Sequence, residues 1–166
     1  MKKLIDKALA LNMDDAQIVS IDQLEVDPSL ANYCCDCEAY GLSAHCQPHG
    51  LSSSEFSDRL VDYNNVLVIK RDVPVAVLQS DDQLPIARQI HLTVAQLEKQ
   101  AQLLGFNAAA YAGGSCKRLF CSSSQQCQLL QQGGICRFPQ WARPYGAAGW
   151  LGAVGTEKIR DESPYS

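Results

Sequence analysis

Apolar residues recur at steps of three and four along several segments of the chain, and this spacing predicts amphipathic helices. The longest such segment covers residues 81–104 and is followed by Gly105, in the position where glycine commonly ends a helix. His91 lies beside the apolar face of this segment, so it is predicted to be a surface or boundary residue. Shorter helices are predicted over residues 3–12 and, after a serine–glutamate capping box, over residues 53–63.

Continuous apolar runs predict buried strands, and the clearest of these is residues 66–69. Residues 17–26 and 108–112 are also predicted to be strands, and residues 73–78 to be a strand or an extended loop. Strand, long helix and strand in that order predict a βαβ crossover with a parallel pairing. We therefore expect one α/β domain over residues 1–166, with a small mixed or parallel sheet, flanking helices and two cysteine-rich metal-binding loops.

Eight cysteines fall into two groups about seventy residues apart. The first group is Cys34, Cys35, Cys37 and Cys46, and the second is Cys116, Cys121, Cys127 and Cys136. The amino-terminal apolar run is broken at once by charged residues, and no stretch is long enough to span a membrane. A cytoplasmic location is therefore expected, and cytoplasmic proteins rarely use cysteines for disulfides. Closely spaced thiolates in such a protein favour zinc or iron–sulfur centres.

The second group has four, five and eight residues between successive cysteines. These gaps match neither the paired knuckles of zinc ribbons nor the tight run of bacterial ferredoxins. A cuboidal cluster spreads its ligands over a wider volume than one ion does, so the gaps favour a [4Fe–4S] cluster. Zinc and buried or redox-active thiols are the alternatives.

The first group offers three well-spaced thiolates, from Cys34, Cys37 and Cys46. They could hold a second centre or join the same metal region as the second group. An exchangeable iron there would make the protein an enzyme, whereas a fourth protein ligand would close the site, for example around a structural zinc. The fourth ligand is open among Cys35, His45, His49, Asp36 and water.

Acidic residues are absent between Glu98 and Glu157, although five bases lie in that stretch. Fixed positive charge lowers the cost of burying an anionic cluster, and it could also dock a redox partner protein with an acidic surface. The net charge of −4 argues against a nucleic-acid partner. The chain contains no glycine-rich phosphate loop, nucleophile-elbow motif or zinc-protease motif. The five bases are Lys99, Lys117, Arg118, Arg137 and Arg143.

The two cysteine groups also resemble the signatures of an uncharacterised family of predicted metal-binding proteins. That family has the patterns Cys-x-x-Cys…Tyr-Gly…Cys-Pro-Pro and Cys-Arg-His-Pro…Ala-Arg-Pro, and the likeness covers roughly residues 17–144. This chain departs from the patterns at Gln47 and Tyr145, which replace proline and serine, and in its tail after Gly146. The matching segments here are Tyr33-Cys34 to Cys37, Tyr40-Gly41, Cys46-Gln47-Pro48, Gly114-Ser115-Cys116, Cys136-Arg137-Phe138-Pro139 and Ala142-Arg143-Pro144.

The resemblance implies metal binding and says little about chemistry. Together with the spacing, it favours an iron–sulfur protein with one or two [4Fe–4S] clusters that acts in electron transfer. The alternatives are an enzyme that uses an open-coordination cluster on a small anionic substrate and a zinc-stabilised binding module. The resemblance assigns ligand status to Cys34, Cys37, Cys46, Cys116, Cys121, Cys127 and Cys136.

Overall fold

A computed structural model describes residues 1–133 and 136–138 and the backbone of residues 152–158. The helices in this part of the chain are α1 Lys2–Ala10, α2 Ser53–Leu60, α3 Val75–Leu78, α4 Gln83–Leu103, α5 Cys116–Phe120 and α6 Gln128–Gln132. The strands are β1 Asp15–Ser20, β2 Asn65–Lys70, β3 Phe106–Tyr111 and β4 Gly152–Lys158. Two 3₁₀ helices cover Ile21–Gln23 and Pro28–Cys34.

The four described strands form one sheet in the order β1-β2-β4-β3, and every neighbouring pair is antiparallel. Strands β2 and β3 therefore point the same way, and α4 connects them, as a crossover requires. They are not hydrogen-bonded to each other, because β4 lies between them. The predicted α/β class is confirmed, whereas the predicted parallel pairing is wrong.

Three other segments differ from the sequence prediction. Strand β1 ends at Ser20, because Ser20 and Gln23 form a capping box that turns the chain into a 3₁₀ helix. Residues 75–78 form one helical turn and not a strand. Strand β4 lies in a segment for which the sequence patterns predict no strand, yet it is an inner strand of the sheet.

The core lies where α1 and α4 pack against the sheet. Leu4, Leu67 and Leu97 are completely buried there. Gly105 ends α4 with a φ of +82°, a left-handed conformation that glycine adopts without strain. No helix in the described ranges is both long enough and apolar enough to cross a bilayer.

Candidate metal centre

The second cysteine group begins at the carboxyl end of β3, where ligand sites of α/β sheets commonly lie. Gly114 turns the chain there with a φ of +87°. The Ser115 side chain then caps α5 by accepting a hydrogen bond from the Lys117 backbone N–H at 3.3 Å. Cys116 is the first residue of α5 and is buried. The strand predicted over residues 108–112 is observed as β3, and Cys116 follows it in the chain after a short turn.

Three thiols of the second group line one cavity of about 60 Å³, and they belong to Cys121, Cys127 and Cys136. This volume is several times the roughly 10–15 Å³ that one water-sized sphere requires. The rings of Phe120 and Phe138 also line the cavity, with their centroids 6.2 Å apart. No carboxylate lines it in the part of the chain that the structure describes. The thiols therefore share a partly apolar space with room for several atoms.

Cys116 is buried and does not line this cavity, but two of the thiols that do line it influence its pKa. Burial raises the pKa of its thiol to about 12, and the hydrogen bond with the Ser43 hydroxyl opposes that rise. Negative charge on neighbouring thiolates raises the pKa further, which places these thiols within electrostatic reach of one another. The neighbours are Cys46, Cys127 and Cys136.

The two cysteine groups meet at a small polar junction made by Ser43, Cys46, Ser115 and Cys116. The Cys46 thiol donates a hydrogen bond to the Ser115 hydroxyl at 3.3 Å. The Ser43 hydroxyl lies 3.6 Å from the Cys116 sulfur. Next to the junction, the Cys127 backbone N–H donates to a carbonyl of the first cysteine loop at 2.9 Å. The first and second groups are therefore adjacent in space.

The first group is wound into successive turns. Cys34 ends the 3₁₀ helix, and the Cys37 backbone N–H donates to the Cys34 carbonyl at 3.1 Å. Burial raises the pKa of Cys34, and the charges of the other three cysteines of the group add to the rise. Cys37 is exposed and Cys46 is partly buried, so this group is more open to solvent than the second.

The candidates for a fourth ligand differ in exposure. Burial lowers the pKa of His45, so its imidazole is neutral, which is the form that binds metals. His49, Asp36 and Cys35 are exposed. Cys35 lines a separate cavity together with Tyr40.

The structure places the two cysteine groups next to each other, but the described residues form no complete single-ion site. Across residues 1–133 and 136–138, no three histidine, cysteine or acidic side chains lie close enough to hold one metal ion. The seven-cysteine ligand set therefore stays a prediction. What the structure contributes is the adjacency of the two groups and the cavity that three of the thiols share.

Lys117 supports the site from a buried position that the sequence patterns did not predict. It is only 8% exposed, and its ammonium group donates to the carbonyl oxygens of Cys121, at 2.9 Å, and of Ser124. These bonds satisfy a buried charge and hold the loop that carries Cys121. The acid-free stretch of the sequence was the available signal, although it indicated charge and not burial.

His91 was predicted to be a surface or boundary residue, and this is wrong. The side chain is completely buried, and its Nε2–H donates to the Gly113 carbonyl at 3.1 Å. Its ring meets Phe120 edge-on, with centroids 5.8 Å apart. Burial lowers the pKa of His91, so the ring is neutral. This histidine supports the turn before Cys116 and the aromatic wall of the cavity.

Comparison with protein families gives a match over most of the chain. Residues 17–149 match the profile of a family described as predicted metal-binding protein (DUF2284). The chain belongs to this family. The match includes all eight cysteines and most of the described fold, and it confirms the resemblance drawn from the two cysteine signatures. No curated protein and no solved structure matches the chain.

Replacing Lys117 with methionine should destabilise the metal-free protein. Two carbonyl groups would lose their donor, and an unmet buried group costs about 1–3 kcal/mol. We expect the free energy of unfolding in urea to fall by about that amount. Lys99→Met is the matched control, because Lys99 is exposed on α4. Equal stability of the two variants would contradict the role given to the Lys117 ammonium group.

Proposed function

We propose that Cys116, Cys121, Cys127 and Cys136 hold a [4Fe–4S] cluster and that the protein transfers electrons one at a time. The observation that carries this proposal is the cavity shared by the last three of these thiols, with Cys116 within electrostatic reach of it. Membership of a predicted metal-binding family supports metal binding in general, without specifying the metal.

The size of the cavity favours a cluster over a single ion. Zinc draws its four ligands to about 2.0–2.3 Å from one point. A cavity of about 60 Å³ between three thiols leaves more space than that arrangement needs. A cluster with sulfide corners fills such a space, because each thiolate then binds a different iron.

The charges around the cavity also suit an anionic cluster. Arg137 lines the cavity and is exposed, and it lies with Lys117 close enough to Cys121 to lower the pKa of that thiol, against the stronger effect of burial. Phe120 and Phe138 limit the access of water. Positive charge and restricted hydration are the features by which proteins set the potential of a cluster.

Two alternative roles are open to the first cysteine group within this proposal. Cys34, Cys37 and Cys46 could hold a second cluster next to the first, which suits electron transfer between them. Alternatively, they could hold an iron with an open coordination position, which would make the protein an enzyme acting on a small anionic substrate. The exposure of Cys37 favours the second candidate, because an open iron must be reached by its substrate.

Converting the four cysteines of the second group to serine should abolish the visible absorbance near 400 nm, roughly where thiolate-to-iron charge transfer is expected, or reduce it by about half if the first group also holds a cluster. The control is Cys35→Ser, because Cys35 is exposed and is not assigned to the cluster. Both proteins are purified without oxygen. An unchanged spectrum in the quadruple variant would exclude the assignment.

Azide added to the unmodified protein should alter the spectrum only if an iron has an open position.

We also propose that a redox partner with an acidic surface docks at Arg137. Two other bases of the acid-free stretch are engaged within the chain, since Lys117 is buried and Arg118 pairs with Glu38 at 3.6 Å and Asp81 at 3.8 Å. Arg137 is exposed at the cavity that would hold the cluster.

Opposite charges on two partners make association faster at low salt. The rate of reduction by an acidic ferredoxin-type donor should therefore fall as salt rises, and Arg137→Gln should weaken that dependence. Lys99→Gln is the control, since Lys99 lies on α4 two turns beyond His91, about 12 Å along the helix axis. A salt-independent rate would contradict docking at this surface.

A further inference from the structure

A second, larger cavity borders the first cysteine group. Its volume is about 450 Å³, within the roughly 300–1,000 Å³ of small-molecule sites. The 3₁₀ helix Pro28–Cys34 and the start of α2 form two of its walls, and Tyr40 and Gln47 complete it. Cys35 lines the cavity and follows Cys34 directly, so a molecule bound there would lie against the first cysteine group.

The cavity presents polar groups without formal charge. Four serines line it, Ser52 at the N-cap of α2 and Ser53, Ser54 and Ser57 within the helix, together with Asn32, Tyr40 and Gln47. No lysine, arginine, histidine, aspartate or glutamate is among its lining residues in the described part of the chain. Such a lining recognises a ligand through neutral hydrogen bonds and not through ion pairing.

Several of these polar groups are available to a ligand. The side chains of Asn32, Tyr40 and Ser53 make no hydrogen bond to other residues within the described ranges. The Gln47 amide donates to the Leu51 carbonyl at 3.1 Å, which leaves its oxygen as an acceptor. Gln47 stands where the family signature has proline, so this acceptor is a feature of this chain.

An anion is not favoured in this cavity. The amino-terminal end of a helix attracts negative charge, but Glu55 already occupies that position on α2. Its carboxylate accepts hydrogen bonds from the Ser52 backbone N–H at 2.8 Å and from the Ser52 hydroxyl at 2.7 Å. These bonds lower the pKa of Glu55, so the carboxylate stays ionised and repels a second anion.

We infer that this cavity binds an uncharged small molecule bearing several hydroxyl or amide groups and holds it beside Cys35. The inference rests on the walls of the cavity and not on the identity of the metal. It also places a ligand next to the more solvent-exposed of the two cysteine groups.

Disulfide exchange at Cys35 tests the preference for a neutral group. The protein, purified with its metal, is equilibrated separately with bis(2-hydroxyethyl) disulfide, dithiodiglycolate and cystamine, which are neutral, anionic and cationic, respectively. The Cys35 thiolate attacks one sulfur, forms a mixed disulfide and releases the other half as a thiol. Mass spectrometry of the Cys35 peptide gives the equilibrium constant for forming each mixed disulfide. The same measurement on the chain unfolded in urea gives the reference value for each reagent.

We expect the hydroxyethyl adduct to be favoured about fivefold over both charged adducts relative to the unfolded chain, the gain that one net hydrogen bond provides. Ser57→Trp should remove this preference by filling the cavity. Asp58→Trp, at the next and exposed position of α2, should keep it. Equal or greater stability of either charged adduct would overturn the inference, as would an unchanged preference in Ser57→Trp. Iron measured on the same samples keeps this result separate from the cluster proposal.

Discussion

The cysteine-rich face depends on the polar junction between two loops that are far apart in sequence. The Ser43–Cys116 and Cys46–Ser115 contacts join residues 73 and 69 positions apart. The two hydroxyl groups are hydrogen-bonding partners of the buried Cys116 thiol and the partly buried Cys46 thiol. Because Cys116 stands directly after the end of β3, the junction ties both cysteine groups to the sheet.

Local signals in the sequence were enough for much of the fold. The capping box at Ser52 and Glu55 and the terminal Gly105 marked helix ends that the structure reproduces. Strand β4 could not be predicted in this way, because two of its seven residues are glycines and its place is set by insertion between β2 and β3. The parallel pairing was wrong for the same reason. The tertiary position of a strand outweighed its weak local propensity.

The sequence likewise predicted some features of the candidate site and missed others. Cysteine spacing predicted two groups, and the turn after β3 placed Cys116 at the edge of the sheet. Spacing alone could not show that Cys46 contacts Ser115, since that contact depends on how two distant loops pack. Nor could it show that Lys117 and His91 are buried, because each is tolerated only through a carbonyl partner that folding supplies.

The central claim is that the second cysteine group holds a [4Fe–4S] cluster, and the chemistry of its thiols indicates the most direct test. Metal binding must displace protons from thiols whose pKa values burial has raised, so the metal must repay that cost. We would purify the protein without oxygen and measure iron, zinc and acid-labile sulfide per chain. The account predicts about four irons with about four sulfides, or about eight of each if both groups hold clusters. Zinc without sulfide would contradict it.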